Sequence, residues 1–139
     1  MPSSPLTLMF EQGDVAEFNY LWHREEQADE ESGPKSRPVC VVIKTRGNPD
    51  VVLLFPFTSK SPPAGQLAMS VPEIECRRAG LASPCWIILD EYNRVEMDKD
   101  YDFASTLPVG SISVAFLREI AAKMRDAVRS AAIKAVNRT

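Results

Sequence analysis

The 139-residue sequence has only one histidine and three cysteines, and none of its apolar runs is longer than five or six residues. Because His23 is the only histidine, a mechanism that uses two histidines of one chain as acid and base is excluded. The cysteines show no Cys-x-x-Cys spacing, so neither a zinc site nor a disulfide framework is expected, and no metal or other cofactor is predicted. The apolar runs fall far short of the ~20 residues that cross a bilayer, so no membrane partner is expected.

Length and composition predict one globular domain, residues 1–139. Hydrophobic residues make up 45% of the chain and charged residues 25%, which is ordinary for such a domain. A chain of this length buries about two-thirds of its unfolded surface. The first five residues, Met-Pro-Ser-Ser-Pro, have no basic start and no apolar core. We therefore expect no secretory signal, reduced thiols and a cytoplasmic location.

The net charge of −3 is unevenly distributed. Residues 118–138 contain six Lys or Arg against Glu119 and Asp126, a balance of +4, which leaves −7 for the rest of the chain. Much of that negative charge lies in residues 25–31. A broad basic face for nucleic acid is therefore not indicated, and any such contact would be local. An acidic surface could equally bind a cationic segment of a partner protein.

Two β-branched, apolar runs flank a cluster of turn-forming residues. Val39–Ile43 precedes the sequence Arg-Gly-Asn-Pro-Asp of residues 46–50, and Val51–Phe55 follows it. This pattern is typical of a β-hairpin. Neither run has a polar face, so we expect both strands to be central in a sheet and covered on both sides.

The position of the turn sets the register of these two strands. With the turn centred on Asn48, Arg37 lies opposite Ser59 and Pro38 lies opposite Thr58, with cross-strand Cβ atoms about 5 Å apart. A guanidinium group then meets two hydroxyl groups at the open end of a buried hairpin. Such a set of donors can hold a phosphate group.

The remaining elements are shorter. We expect a first strand within residues 13–21, strands at 67–71 and 84–89, and a bend with a half-buried strand at 90–97. The expected connections are an acidic loop at 23–36 and the segments 59–65, 72–83 and 98–108.

The end of the chain has a different pattern. Apolar residues recur at three- and four-residue steps from Leu117 to Ala131, which predicts an amphipathic helix over about residues 114–135 with Ser113 as its N-cap. We expect its apolar stripe to face the core. Several short strands followed by one helix predict a mainly β, α+β fold: a small closed sheet or barrel with the helix packed on it.

The order of these motifs resembles that of the MazF/PemK (Kid) family, the toxins of type II toxin–antitoxin modules. In chain order, the matching motifs are Gly13-Asp14-Val15, Gly33 to Arg37-Pro38 with the strand after it, Thr58-Ser59, Ile87 to Glu91, and Gly110 with the helix Phe116 to Val128. The resemblance covers roughly residues 11–130.

The resemblance implies a homodimeric SH3-like β-barrel that cleaves single-stranded RNA sequence-specifically without a metal and is neutralised by a peptide of its antitoxin. In that reaction the 2′-hydroxyl of the RNA attacks the adjacent phosphate, and the protein orients the attack, moves protons and stabilises charge. The implied catalytic residues are Arg37, Thr58 and Asp90. The candidate substrate-binding residues are Ser59, Glu31 and Lys60.

Each candidate has a chemical role and a structural alternative. Arg37 suits a phosphate clamp because its planar fork donates two parallel hydrogen bonds, and Pro38 would keep it extended. Thr58 could donate to a phosphoryl oxygen or the leaving group, and Asp90 or Glu31 could accept a proton. The alternatives are an Arg37–Glu31 ion pair, a turn at Thr58, and capping of a bend by Asp90.

One departure from the family pattern leaves other functions open. Kid-like members have an arginine two positions before the aspartate, where this chain has Ile88, and Arg94 is the remaining candidate to replace it. A sparse set of cations predicts weak or narrow RNA binding. The alternatives are a non-catalytic barrel that binds a protein target, as gyrase-poisoning CcdB-like toxins do, and a degenerate interaction module. Convergence of Arg37, Thr58 and Asp90 in one groove would favour the enzyme.

Overall fold

The computed structural model describes residues 10–20, 36–47, 49–97 and 107–129, and the backbone of residues 134–138. These segments form eight β-strands and two α-helices. In chain order they are β1 (Asp14–Phe18), β2 (Arg37–Thr45), β3 (Val51–Thr58), β4 (Ala68–Ser70), α1 (Glu73–Ala79), β5 (Trp86–Ile88), β6 (Glu91–Glu96), β7 (Gly110–Ser111), α2 (Val114–Arg129) and β8 (Lys134–Arg138). The predicted mainly β, α+β character is confirmed. Neither of these two helices is long and apolar enough to cross a membrane.

All eight strands belong to one hydrogen-bonded sheet. Its main path runs β4-β5-β3-β2-β1-β7, while β6 pairs with β3, and β8 pairs with β6. The β6–β8 pair is parallel and the other pairs are antiparallel. Within the described strands, β4 and β7 at the two ends of the path do not pair with each other. Closure of this sheet into an SH3-like barrel therefore stays a prediction.

β3 is the branch point of the sheet because it pairs with three other strands. β2 lies along it from Val51 to Pro56, and β6 pairs with its first half, Val51–Leu54. Its last two residues, Phe57 and Thr58, pair with β5 instead. The end of β3 is thus joined to the segment that follows α1, far away in the sequence.

Side chains of β2 alternate between two apolar clusters. Cys40 and Val42 belong to the cluster that α2 covers with Phe116. Val39 and Val41 point the other way, into a cluster that includes aromatic residues of β1 and its neighbours. All four β2 side chains are buried. The expectation that this strand is covered on both sides is confirmed.

A β-bulge shifts the register of the β2–β3 hairpin. Near the turn, the pairs follow the register predicted for a turn centred on Asn48, and the register then shifts by one residue at Val42. Continued to the open end, the shifted register places Arg37 across from Thr58. The predicted pairings of Arg37 with Ser59 and of Pro38 with Thr58 are therefore each wrong by one residue, because a bulge sets two residues of one strand against one of the other.

Three elements differ from the prediction. The segment 72–83, expected to be a connection, contains α1, whose seven residues are too few for an apolar period to stand out. The two-residue strand β7 was not expected either. The described part of the second helix runs to Arg129, and Lys134–Arg138, where the predicted helix would have ended, forms β8 because the edge of β6 offers backbone partners.

α1 supports the start of α2. Ser113 is the N-cap, as predicted, since its Oγ accepts the N–H of Phe116 at 3.1 Å. The buried carboxylate of Glu75 in α1 in turn accepts the N–H of Ser113 at 2.8 Å and a hydrogen bond from its hydroxyl. One serine therefore connects the two helices.

We expect Ser113→Ala to lower the free energy of unfolding by about 1–2 kcal/mol, because α2 loses its cap and Glu75 loses a donor. Urea denaturation followed by circular dichroism measures this change. Ser70→Ala, at an exposed position of β4, is the matched control and should behave like the wild type. Equal stability of the Ser113 and Ser70 variants would contradict the capping role.

Gly110 of β7 lies against the backbone at the end of α1. A Cβ atom placed there would be 2.6 Å from the carbonyl oxygen of Ala79 and 2.9 Å from its Cα. We expect Gly110→Ala to cost about 1–3 kcal/mol of stability, since backbone must move to relieve the overlap. Gly47→Ala, whose nearest neighbour would be a carbonyl oxygen at 3.2 Å in an exposed turn, should cost less. Thermal denaturation of both variants compares them, and an unchanged melting temperature for Gly110→Ala would refute the close approach.

Candidate functional site

Four of the six candidate site residues line one cavity. Arg37 begins β2, Thr58 ends β3, and Ser59 and Lys60 follow directly. Their side of the sheet encloses a cavity of about 690 Å³. This volume is within the usual range for small-ligand sites.

Arg37 is held by its strand and lies near a buried polar cluster. Its backbone pairs with Phe18 of β1, and its side chain is half-buried. Nearby, the hydroxyl of Tyr20 donates to the carboxylate of Glu91 at 3.2 Å, with both side chains buried. Burial, followed by the charge of Glu91, raises the pKa of Tyr20 well above its ordinary value, while the charge of Arg37 acts in the opposite direction. Tyr20 therefore stays protonated and keeps donating at neutral pH.

Thr58 presents a hydroxyl group at the cavity wall. Its backbone pairs with Trp86 of β5, and its Oγ1 accepts the N–H of Lys60 at 3.2 Å. That hydrogen bond occupies a lone pair and leaves the hydroxyl proton free to be donated. Ser59 and Lys60 are exposed beside it. A bound anion would therefore find several donors along one edge.

Asp90 does not line this cavity. It lies in the bend between β5 and β6, where its Oδ2 accepts the N–H of Leu67 at 3.4 Å. Its Oδ1 is buried and has no hydrogen-bond partner among the described residues. This position fits the structural alternative, in which the carboxylate supports a bend. Glu31 and His23 lie outside the described residues.

Ile88, which stands where Kid-like toxins have an arginine, and Arg94, the candidate to replace that arginine, lie in different parts of the structure. Ile88 is buried and contributes to the cavity wall. Arg94 lies on β6, paired with Leu53, and is not part of that wall. Arg37 is therefore the one arginine among the cavity residues that the structure describes.

The sequence did not indicate several other residues that line the cavity. Leu81, Ala82 and Cys85 come from the segment after α1, and Pro62 and Pro63 come from the loop after β3. Leu81, Ala82 and Cys85 reach the site because β5 pairs with the end of β3, whereas Pro62 and Pro63 follow Lys60 closely in the chain. No local pattern marks the cavity residues that follow α1, since their place depends on pairing between distant strands.

The charges around the cavity are opposite in sign to the net charge of the chain. Arg37 and Lys60 bring two cations, and no carboxylate belongs to the part of the wall that the structure describes. The chain as a whole carries a net charge of −3. The cavity thus favours an anion, with hydroxyl donors placed to complete its hydrogen bonds. Among the described residues, no group of three or more His, Cys, Asp or Glu side chains is arranged to hold a metal ion.

No protein-family model matches this chain, and no curated protein shows significant sequence similarity to it. The resemblance to MazF/PemK toxins therefore stays a prediction from the order of motifs.

Cys85 adds a buried thiol to the cavity wall. Its side chain interacts with that of Cys76 and with the backbone of Thr58, and burial is the main reason that its pKa rises to about 12. The pKa of Cys40, deep in the core, is raised by burial as well. Both thiols are therefore protonated at neutral pH and are poor nucleophiles.

We expect alkylation of Cys85 by iodoacetamide to be slow near pH 7 and to accelerate about tenfold per pH unit below its pKa, because only the thiolate reacts. Cys40 should react more slowly still, since it lies in the core and Cys85 lines a cavity. Mass spectrometry of tryptic peptides measures both rates in the folded protein and in urea. Neutral-pH reactivity of Cys85 equal to that in urea would contradict the burial of its thiol.

Proposed function

We propose that this protein is a toxin-type endoribonuclease that cleaves single-stranded RNA in the cavity between Arg37 and Thr58 without a metal ion. The observation that carries the proposal is a cationic, hydroxyl-lined cavity in a protein of net charge −3. RNA is a suitable ligand because each of its linkages presents a phosphate to such donors.

The reaction needs little from the protein beyond placing the reacting groups and stabilising the negative charge on the phosphoryl oxygens. The 2′-oxygen bonds to the adjacent phosphorus while the bond from phosphorus to the 5′-oxygen breaks. The products are a 2′,3′-cyclic phosphate and a 5′-hydroxyl, so one proton leaves the 2′-hydroxyl and one reaches the departing oxygen. Arg37 would hold two non-bridging oxygens with its fork and stabilise the charge that develops on them.

Thr58 and its neighbours would complete the site. Because its Oγ1 already accepts the N–H of Lys60, the Thr58 hydroxyl is set to donate to a phosphoryl oxygen or to the departing 5′-oxygen. Ser59 and the Lys60 ammonium group would hold the neighbouring backbone of the RNA.

The identity of the proton acceptor is inferred mainly from the sequence. Asp90 is not among the residues that line the cavity, and its carboxylate accepts the N–H of Leu67, so its position does not favour direct proton transfer. Glu31, six residues before Arg37 in the chain, is then the proposed acceptor.

The resemblance to MazF/PemK toxins supports the rest of the proposal. It favours an SH3-like barrel, a homodimer, cytoplasmic action, sequence-specific cleavage and neutralisation by an antitoxin peptide. One observation favours a second function, a non-catalytic binding module: two of the three implied catalytic residues, Arg37 and Thr58, share the cavity, but Asp90 does not.

A cleavage assay in EDTA tests the enzyme directly. We expect the purified protein to cut a labelled single-stranded RNA and to leave a 2′,3′-cyclic phosphate, identified by mass spectrometry. Arg37→Ala should lower the rate by about 10²–10³-fold, and Arg37→Lys should retain part of it, since lysine keeps the charge but loses the fork. Arg46→Ala, at an exposed position just beyond the other end of β2, is the matched control.

Circular dichroism is the control that checks whether each variant is folded. Full cleavage by folded Arg37→Ala would refute the proposed mechanism. RNA that stays intact with the wild-type protein, together with anion binding that depends on Arg37, would instead support the binding module.

A further inference from the structure

A second cavity lies between α2 and the middle of β2. It has a volume of about 710 Å³, and Val42 and Ile43 of β2 form its floor. The helix contributes an aliphatic stripe that includes Leu117 and Ala121. At the two ends of this stripe, Val114 and Val128 are 64% and 66% exposed. Exposed aliphatic side chains beside an apolar groove are typical of a binding surface.

A row of arginines borders this groove. Arg118, Arg125 and Arg129 all line it, and their spacings of seven and four residues keep them on one side of the helix. The row extends about 17 Å along the helix axis, at 1.5 Å per residue. In the described part of the chain, Arg118 and Arg125 form no ion pair, and the pair of Arg129 with Asp126 is exposed and 3.8 Å long. An exposed pair of this length contributes little and can be exchanged for another carboxylate.

We infer that this groove docks an acidic, amphipathic segment of a partner protein. Apolar side chains of that segment would enter the stripe between Val114 and Val128, and its carboxylates would pair with the arginine row. A helical segment of two to three turns, or an extended peptide of the same length, matches the arginine row. Binding of such a segment in a groove is a common mode of peptide recognition.

Two other occupants fit the groove less well. Nucleic acid is disfavoured because the groove is lined by aliphatic side chains and offers no aromatic ring for stacking among the residues that line it. A two-fold contact with a second copy places the same patch of both chains together, so the two arginine rows would repel each other. An acidic partner satisfies both the apolar stripe and the charges.

The groove is separate from the proposed catalytic cavity. Val42 is five residues from Arg37 along β2, which corresponds to about 17 Å. The inference therefore does not depend on the proposed ribonuclease activity, and the two can be tested separately in one protein.

Fluorescence anisotropy with a synthetic peptide tests the docking surface. The probe is a fluorescein-labelled 18-residue peptide with Leu at three- and four-residue steps and Glu between them; the control peptide has Lys in place of Glu. We expect the acidic peptide to bind, its affinity to fall as salt is added, and the lysine peptide not to bind. The double variant Arg118→Glu/Arg125→Glu should weaken binding at least tenfold, and Val128→Asp should weaken it as well.

Arg78→Glu is the matched control, because Arg78 is an exposed arginine of α1 outside the groove. Unchanged peptide affinity in the Arg118/Arg125 variant would overturn the inference. Two other results would also overturn it. One is a labelled oligouridylate that binds the arginine row more tightly than the acidic peptide does, and the other is self-association of the free protein that the double variant abolishes. RNA cleavage, where present, should persist in the double variant, so a failure here and a failure of the proposed activity remain distinguishable.

Discussion

The pairing of β2 with β3 is the constraint on which the other features of this protein depend. Both strands are buried on two faces, so their hydrogen bonds and their apolar contacts are formed together. The bulge at Val42 shifts the register by one residue, and this register, continued beyond the last pair Val39–Pro56, places Arg37 across from Thr58 at the open end. Because the end of β3 also pairs with β5, the same hairpin gathers Cys85 and its neighbours into the wall of the cavity.

β2 also separates two surfaces of different chemistry. Its first residues border a polar cavity with cations and hydroxyl donors, and its middle forms the floor of an apolar groove under α2. Both surfaces carry positive charge in a protein that is acidic as a whole. The cavity suits a small anionic group, whereas the groove suits a longer acidic segment with apolar side chains. The hydrogen-bonded strand between them keeps the two surfaces at a fixed separation.

Sequence patterns predicted the elements whose signals are local. The β-branched runs around residues 46–50 predicted the hairpin, and the three- and four-residue steps from Leu117 predicted α2 and its cap at Ser113. Patterns failed where an element is short or depends on a distant partner. α1 has seven residues, and β7 has two. β8 forms because its residues pair with β6, although the sequence pattern before it predicted that the helix would continue to about residue 135.

The candidate site divides in the same way. The residue types of Arg37, Thr58, Ser59 and Lys60, and the strands that carry them, follow from the sequence, because a hairpin brings its own two ends together. The register shift between Arg37 and the turn, the cavity residues that follow α1, and the place of Asp90 outside the cavity lining were decided only by the tertiary structure. A bulge and a pairing between β3 and β5 depend on packing across the whole sheet, and a pattern of neighbouring residues does not record such contacts.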